Sequence, residues 1–174
     1  MKSSLWFVVL TSIILLMGCN STDNFNLKEE ERKVNQVMNK WHESASQANY
    51  EQYFGAMDKA SVFIGTDAGE NWTKEEFQSF SKPYFDKGKA WSFKALERNV
   101  YFNESGSTAW FDELLDTWMG TCRGSGVLEK TNSTWKIKHY VLSVCIPNED
   151  MQKVIAVKSL NDSLFRAEQS NSNK

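Results

Sequence analysis

The sequence predicts an α+β domain in which helices pack on one face of an antiparallel sheet, and three observations predict it. From residue 27 apolar side chains recur at threes and fours. A second helical segment opens on a capping sequence, and from residue 91 onward the chain becomes a series of alternating runs separated by tight-turn compositions. The chain has 174 residues, 41% hydrophobic and 13% aromatic, which is material for one core and disfavours two domains. Formal charge is -2, with 20 basic residues scattered among 22 acidic ones. No basic stripe exists to hold a phosphate backbone, so a nucleic-acid partner is not expected.

The first residues are of another kind. Lys2 precedes the apolar run "LWFVVLTSIILLMG", too short for an ordinary spanning helix and suited to a signal peptide. It ends at Leu16-Met17-Gly18-Cys19, which resembles the bacterial lipobox: an aliphatic residue three places before the cysteine, a small one beside it, and a thiol for diacylglycerol attachment. This resemblance implies a signal peptide over 1–18, lipidation at Cys19 and a polar tether over 19–26, so that the membrane is met through the anchor only. It also implies a place in the bacterial cell envelope, on the outer membrane or periplasmic face rather than in the cytoplasm. Asn20, not Asp, follows the cysteine, which favours release to the outer membrane.

Leu27, Val34, Val37, Met38, Trp41, Ala45 and Ala48 form one stripe of an amphipathic helix, with His42 beside Trp41 expected in solvent. "NYEQYFGAM" reads as a short helix and "SVFIGTD" as a strand. Thr73-Lys74-Glu75-Glu76 is a capping box opening a helix that runs to about Lys87, with Phe77, Phe80 and Tyr84 inward, Pro83 as a bend and Gly88 as a stop. The runs "WSFKALERNVYFNES", "STAWFDELLDTW", "TCRGSGVLEK" and "STWKIKHYVLSVCI" are four strands of a meander joined by turns. A helix follows Pro147. The domain is expected to span 27–160, with residues 161–174 as a disordered tail.

The strand "TAWFDELLDT" carries Asp112 and Glu113 side by side, and adjacent strand residues leave on opposite faces. Trp135 and Ile137 alternate with Lys136 and Lys138, so odd positions of the last strand face the helices. A turn at Asn132 and Ser133 sets Gly126 opposite His139, and a turn at Met119 and Gly120 sets Glu113 opposite Gly126. Glu113, Gly126 and His139 then form one inward row, Asp112 and Tyr140 point outward, and the acid and imidazole share the space left by the glycine. A bulge at "RGSG" would break the row. On the same register Cys122 and Cys145 lie about 7–8 Å apart against a usual disulfide limit of about 6.8 Å, so free thiols are expected.

The stretches "FIGTDAGENWTKEEF", "AWFDELLD", "RGSGVLEKTNSTWKIKHYVLS" and "IPNE", with the leading helix, resemble the nuclear transport factor 2-like superfamily and within it the SnoaL-like branch. The resemblance covers nearly all of residues 27–150. It implies a cone: a curved antiparallel sheet with helices on its concave face, a pocket between the layers, and homodimers across the outer sheet face. It names no activity, because relatives include isomerases, cyclases, dehydratases and assembly modules.

The expected function is therefore a lipid-anchored domain binding a small-molecule ligand in an internal cavity. Glu113 as general base with His139 as its partner is the enzymatic alternative, of isomerase or cyclase type, and a dimeric assembly module is the third. Trp41, Asp67, Trp72 and Trp135 are the candidate ligand-binding residues, with Asp67 and Trp72 placed at the cavity mouth. Two distant histidines without a cysteine or carboxylate pattern argue against zinc, and no phosphate loop or nucleophile elbow occurs, so no metal or cofactor is expected.

Overall fold

The computed structural model describes residues 26–172; the signal peptide expected over 1–18, the lipidation expected at Cys19 and nearly all of the tether expected over 19–26 lie outside them. Helix α1 (Leu27–Ser46) begins at Asn26, whose side chain accepts the Glu29 amide at 3.2 Å, and its first turn carries Glu29 and Glu30 against the positive end of the helix dipole. Val34, Met38, Trp41 and Ala45 of the predicted stripe are buried, Val37 and Ala48 are half-buried, and Leu27 in the first turn is exposed. A short α2 (Tyr50–Gly55) leads into β1 (Met57–Ile64) and β2 (Asn71–Thr73).

The capping box is present on α3 (Lys74–Asp86): Glu76 donates its amide to the Thr73 hydroxyl at 3.3 Å, and its carboxylate accepts the Thr73 amide at 2.8 Å. Gly88, at φ +68°, follows the helix end. The inward stripe is Phe77, Ser81 and Phe85, not Phe77, Phe80 and Tyr84. Both sets have helical spacing, and the small Ser81 in the true stripe made it read as polar. Phe80 and Tyr84 are exposed.

Strands β3 (Lys94–Phe102), β4 (Thr108–Thr117), β5 (Gly120–Thr131) and β6 (Thr134–Val144) complete a six-stranded sheet of order β2-β1-β6-β5-β4-β3. The meander pairs antiparallel, while β1 joins β6 in parallel, a pairing the meander pattern did not foretell. Asn132 and Ser133, at φ +49° and +64°, make the two-residue turn that pairs Thr131 with Thr134. The β4–β5 turn falls one residue earlier than expected: Thr117 pairs with Gly120, so Glu113 lies opposite Gly124 rather than Gly126. That slip of two in register keeps every face, and Ala109, Phe111, Glu113 and Leu115 are all buried.

A bulge in β6 does change faces. Leu128 pairs with Ile137 but Val127 pairs with His139, which leaves Lys138 as an extra residue. Beyond it Tyr140 and Leu142 point inward and His139 outward, reversing the expected parity.

Aromatic rings fill the space between sheet and helices. Phe63 stacks on Phe77 with centroids 3.9 Å apart, Trp41 stacks on Tyr53 at 4.8 Å, and Tyr140 meets the Trp41 ring edge-on at 4.7 Å. At one end Glu30 pins α1 to the β5–β6 hairpin: it accepts Trp135 Nε1 at 2.8 Å and pairs with Lys130 and Lys33 at 2.8 and 2.9 Å. After a 3-10 turn (Asn148–Asp150) the described residues close with α4 (Met151–Ser172), which is helical over residues 161–172 of the stretch expected to be a disordered tail. Cys122 and Cys145 are free thiols.

Burial alone would raise the Glu30 carboxyl, but the bonds from Lys130, Lys33 and Trp135 outweigh it and lower its pKa from 4.5 to about 2. A depressed folded-state pKa stabilises the fold above the unfolded value and loses that contribution as pH falls through the folded one. Glu30→Gln is expected to destabilise the domain by about 1–2 kcal/mol at neutral pH. The difference in urea midpoint from wild type should narrow as pH is lowered from 5 toward 2, and a gap constant over that range would contradict the assignment.

Candidate functional site

The residues that converge on Glu113 come from three elements, β3, β6 and α1. Glu113 sits mid-strand on β4 with its side chain wholly inside. Arg98 is its direct neighbour across β3–β4 and approaches Oε2 with Nε at 2.9 Å and Nη2 at 2.8 Å. Oε1 accepts the Tyr140 hydroxyl at 3.0 Å and faces His42 Nε2 on α1 at 2.8 Å. An ionised carboxylate can only accept, so Nε2 carries the hydrogen in this contact. Arg98 Nη1 is in turn held by the side-chain oxygens of Asn39 at 2.8 Å and Asn35 at 3.1 Å.

A missing side chain makes room for this cluster. Gly124 stands directly opposite Glu113, and a Cβ there would collide with the Tyr140 hydroxyl and come within 2.9 Å of Glu113 Oε1. Gly126 was expected to make room between Glu113 and the His139 imidazole; instead Gly124 makes it, between Glu113 and the Tyr140 hydroxyl.

Burial is the largest influence on Glu113 and taken alone would raise its pKa. The hydrogen bond and charge of His42 and the guanidinium of Arg98 outweigh it, so the carboxyl lies below its usual range. Tyr140 is pushed well above 10 by burial and by the adjacent Glu113 charge, so it remains a donor. The result is an ionised acid with both oxygens occupied and no exposed surface.

The expected partner is corrected. His139 lies on the outer face, in the cross-strand row Tyr101, Trp110, Val127, His139, because the β6 bulge turns it away. Its inward place is taken by Tyr140. His42, expected in solvent, is buried and is the imidazole that meets Glu113. The signal for it was present in Asn35, Asn39 and His42, a polar stripe at helical spacing beside the apolar one, which matches the partners of Arg98 and Glu113. Arg98 had no comparable signal, since an arginine in a half-exposed strand reads as solvated.

The candidate ligand-binding residues are dispersed. Trp41 is a core ring, and Trp135 is committed to Glu30 at the other end of α1. Asp67 is exposed in the 65–70 turn, where it accepts the Gly69 amide at 2.8 Å, and it lines a cleft against α4. Trp72 alone lines an apolar pocket. That pocket, of about 140 Å³, is walled by Phe63, Phe77, Trp91, Phe93 and Trp118 with Trp72, and Glu70 is the only ionisable group among its lining residues. Phe63 and Phe93 separate it from the buried cluster: Phe63 stacks on Tyr140 at 5.6 Å, and Phe93 lies 6.4 Å from the His42 ring. The expected internal cavity beside Glu113 is filled by these rings.

With helices on one face of a curved, mostly antiparallel sheet, the architecture is that of the cone-shaped nuclear transport factor 2-like folds. A model of the SnoaL-like domain matches residues 34–147, and the chain belongs to that family. Similar folds occur in a domain of unknown function with a cystatin-like fold from Nostoc punctiforme, at 13% identity and TM-score 0.62 over 86% of this chain and 100% of that one. A putative dehydratase of the NTF2-like family from Streptomyces avermitilis matches at 11% identity and TM-score 0.60, over 70% and 100%. The association domain of CaMKII from C. elegans matches at 19% identity and TM-score 0.54, over 67% and 97%. No curated protein matches the chain in sequence.

Removing the Glu113 charge leaves the Arg98 guanidinium buried without its counter-ion, so Glu113→Gln is expected to destabilise the domain by about 3 kcal/mol. Gly124→Ala should lower stability by about 1–3 kcal/mol by displacing the Tyr140 hydroxyl. Thermal denaturation of both variants checks this, and a Glu113→Gln protein as stable as wild type would contradict the ion-pair role.

Proposed function

We propose that this SnoaL-like domain is a lipid-anchored, non-catalytic receptor for a small aromatic or short-chain apolar compound, taken up in the pocket lined by Trp72. The observation that carries the reading is the saturation of Glu113: His42 and Tyr140 occupy one oxygen, Arg98 the other, and the side chain has no exposed surface. A general base must come within hydrogen-bond reach of the proton it removes, and this carboxylate already accepts from His42, Tyr140 and Arg98 and has no exposed surface of its own; among its partners, His42 borders a surface pocket. A fold shared with a putative dehydratase leaves the chemistry to the site residues, and here they form a closed ion-pair cluster.

The pocket suits a small guest. At about 140 Å³ it is close to the ~150 Å³ apolar cavity that holds benzene. Its rings offer stacking, and Glu70 offers one polar contact to a donor group on the ligand.

Tryptophan fluorescence titration with single-ring aromatic compounds tests the reading, since Trp72, Trp91 and Trp118 line the pocket. Binding is expected to weaken about tenfold, roughly 1.4 kcal/mol, in Trp72→Ala. A substrate turned over by the wild type and lost in a folded Glu113→Gln protein would overturn it in favour of an isomerase or cyclase. The anchor has its own check: metabolic labelling with a palmitate analogue should mark the wild-type chain and fail to mark Cys19→Ala, the segment "LMGC" being its support.

A further inference from the structure

The C-terminal helix is built unlike the others. It is 22 residues long, about 33 Å of helix, yet no residue on it is buried, and only Val154, Asp162 and Phe165 are even half-buried. Val157, Leu160 and Leu164 are 85%, 69% and 56% exposed. Their spacing of three and four puts them within a sector about 60° wide at ~100° per residue, an apolar stripe open to solvent. Exposed stripes of this kind mark association surfaces.

The flanking charges select the occupant. Lys153 lies four residues before Val157 and Glu168 four residues after Leu164, so both share the stripe's face, Leu164 and Glu168 at the edge that also borders the cleft against Asp67 and Ala68 of the same chain. The arrangement is symmetric about the point between Leu160 and Asn161: Val157 is as far from it as Leu164, and Lys153 as far as Glu168. A two-fold interface requires that kind of self-complementarity, in which each residue meets a different one and is met by it in return. Parallel pairing would set Lys153 on Lys153 and Glu168 on Glu168, whereas antiparallel pairing sets each lysine on a glutamate. The Asp150 contact that Lys153 makes within its own chain, at 2.7 Å with the lysine 80% exposed, is a surface pair of little worth and easily redirected. The outer sheet face is less suited, because Tyr101, Trp110 and Leu114 there alternate with Glu97, Asn99, Asp112 and Arg123.

We propose that α4 packs antiparallel on the α4 of a second copy of this chain, burying Val157, Leu160 and Leu164 and joining Lys153 of each copy to Glu168 of the other. The stripe is short, so the pairing is reversible, with a Kd on the order of micromolar. It does not depend on the pocket or on the anchor.

Sedimentation equilibrium of the full chain carrying Cys19→Ala, which removes the lipidation site, tests it. A monomer–dimer equilibrium is expected, weakened at least tenfold by Leu160→Asp with an unchanged circular dichroism spectrum, since the residue is exposed. Lys153→Glu should weaken the dimer several-fold and Lys153→Glu with Glu168→Lys should restore it, a rescue that a folding defect would not give. A chain that stays monomeric to several hundred micromolar, a dimer indifferent to Leu160→Asp, or one lost in Trp110→Lys instead would each overturn the proposal.

Discussion

An ionised carboxylate held inside an aromatic core is the constraint around which this domain is arranged. Glu113 cannot be buried as a charge unless its partners arrive from every side, and they do: Arg98 from the neighbouring strand, Tyr140 from two strands away, His42 from the helix above. Each partner fixes something larger than itself. Arg98 reaches past Glu113 to Asn35 and Asn39 and so ties the outer strand β3 to α1. The Tyr140 bond requires the bulge at Lys138 and the absence of a side chain at Gly124.

The same demand explains where the open apolar space lies. Rings packed around the cluster shield it from water, which strengthens its electrostatics and removes the cavity that the open cone would otherwise have. The apolar pocket lies toward the β1–β2 hairpin and α3, on the far side of Phe63 and Phe93, with Glu70 the only ionisable group among its lining residues, and a second, polar pocket lined by Asn39, His42, Glu43 and Lys94 opens beside α1. Charge and apolar surface are thus separated in space: Glu113, Arg98 and His42 are tied to one another, while the pocket beside Trp72 has Glu70 as its single ionisable lining residue. At the other end of α1, Glu30 with Trp135 and Lys130 repeats the device closer to solvent, so the helix is fastened to the sheet by a carboxylate near each end.

Much of this architecture was legible in the residues. The α1 stripe, the Thr73 capping box, the Asn132-Ser133 turn and the inward face of Glu113 follow from local rules, because helix period, cap chemistry and strand alternation act over a few residues. The identity of the acid's partner did not follow. A single extra residue at Lys138 reverses the faces of all that comes after it in β6, and nothing in "WKIKHYVLS" announces it: the alternation of Trp135 and Ile137 leads on to His139, and only the break brings Tyr140 inward. The error in the β4–β5 turn was harmless because a shift of two preserves faces, whereas the bulge of one did not.

The sequence by itself determined the class of fold, the order of its helices and long strands, and which of two adjacent acids is inside. Only the tertiary structure decided that His42 and Tyr140 rather than His139 meet Glu113, that the cone is filled beside the acid, and that α4 leaves its apolar stripe bare. The physical reason is range: spacing and capping are set by neighbours along the chain, while contacts between residues 42, 98, 113 and 140 depend on how separate strands and a helix register against one another, and one unpaired residue is enough to change that.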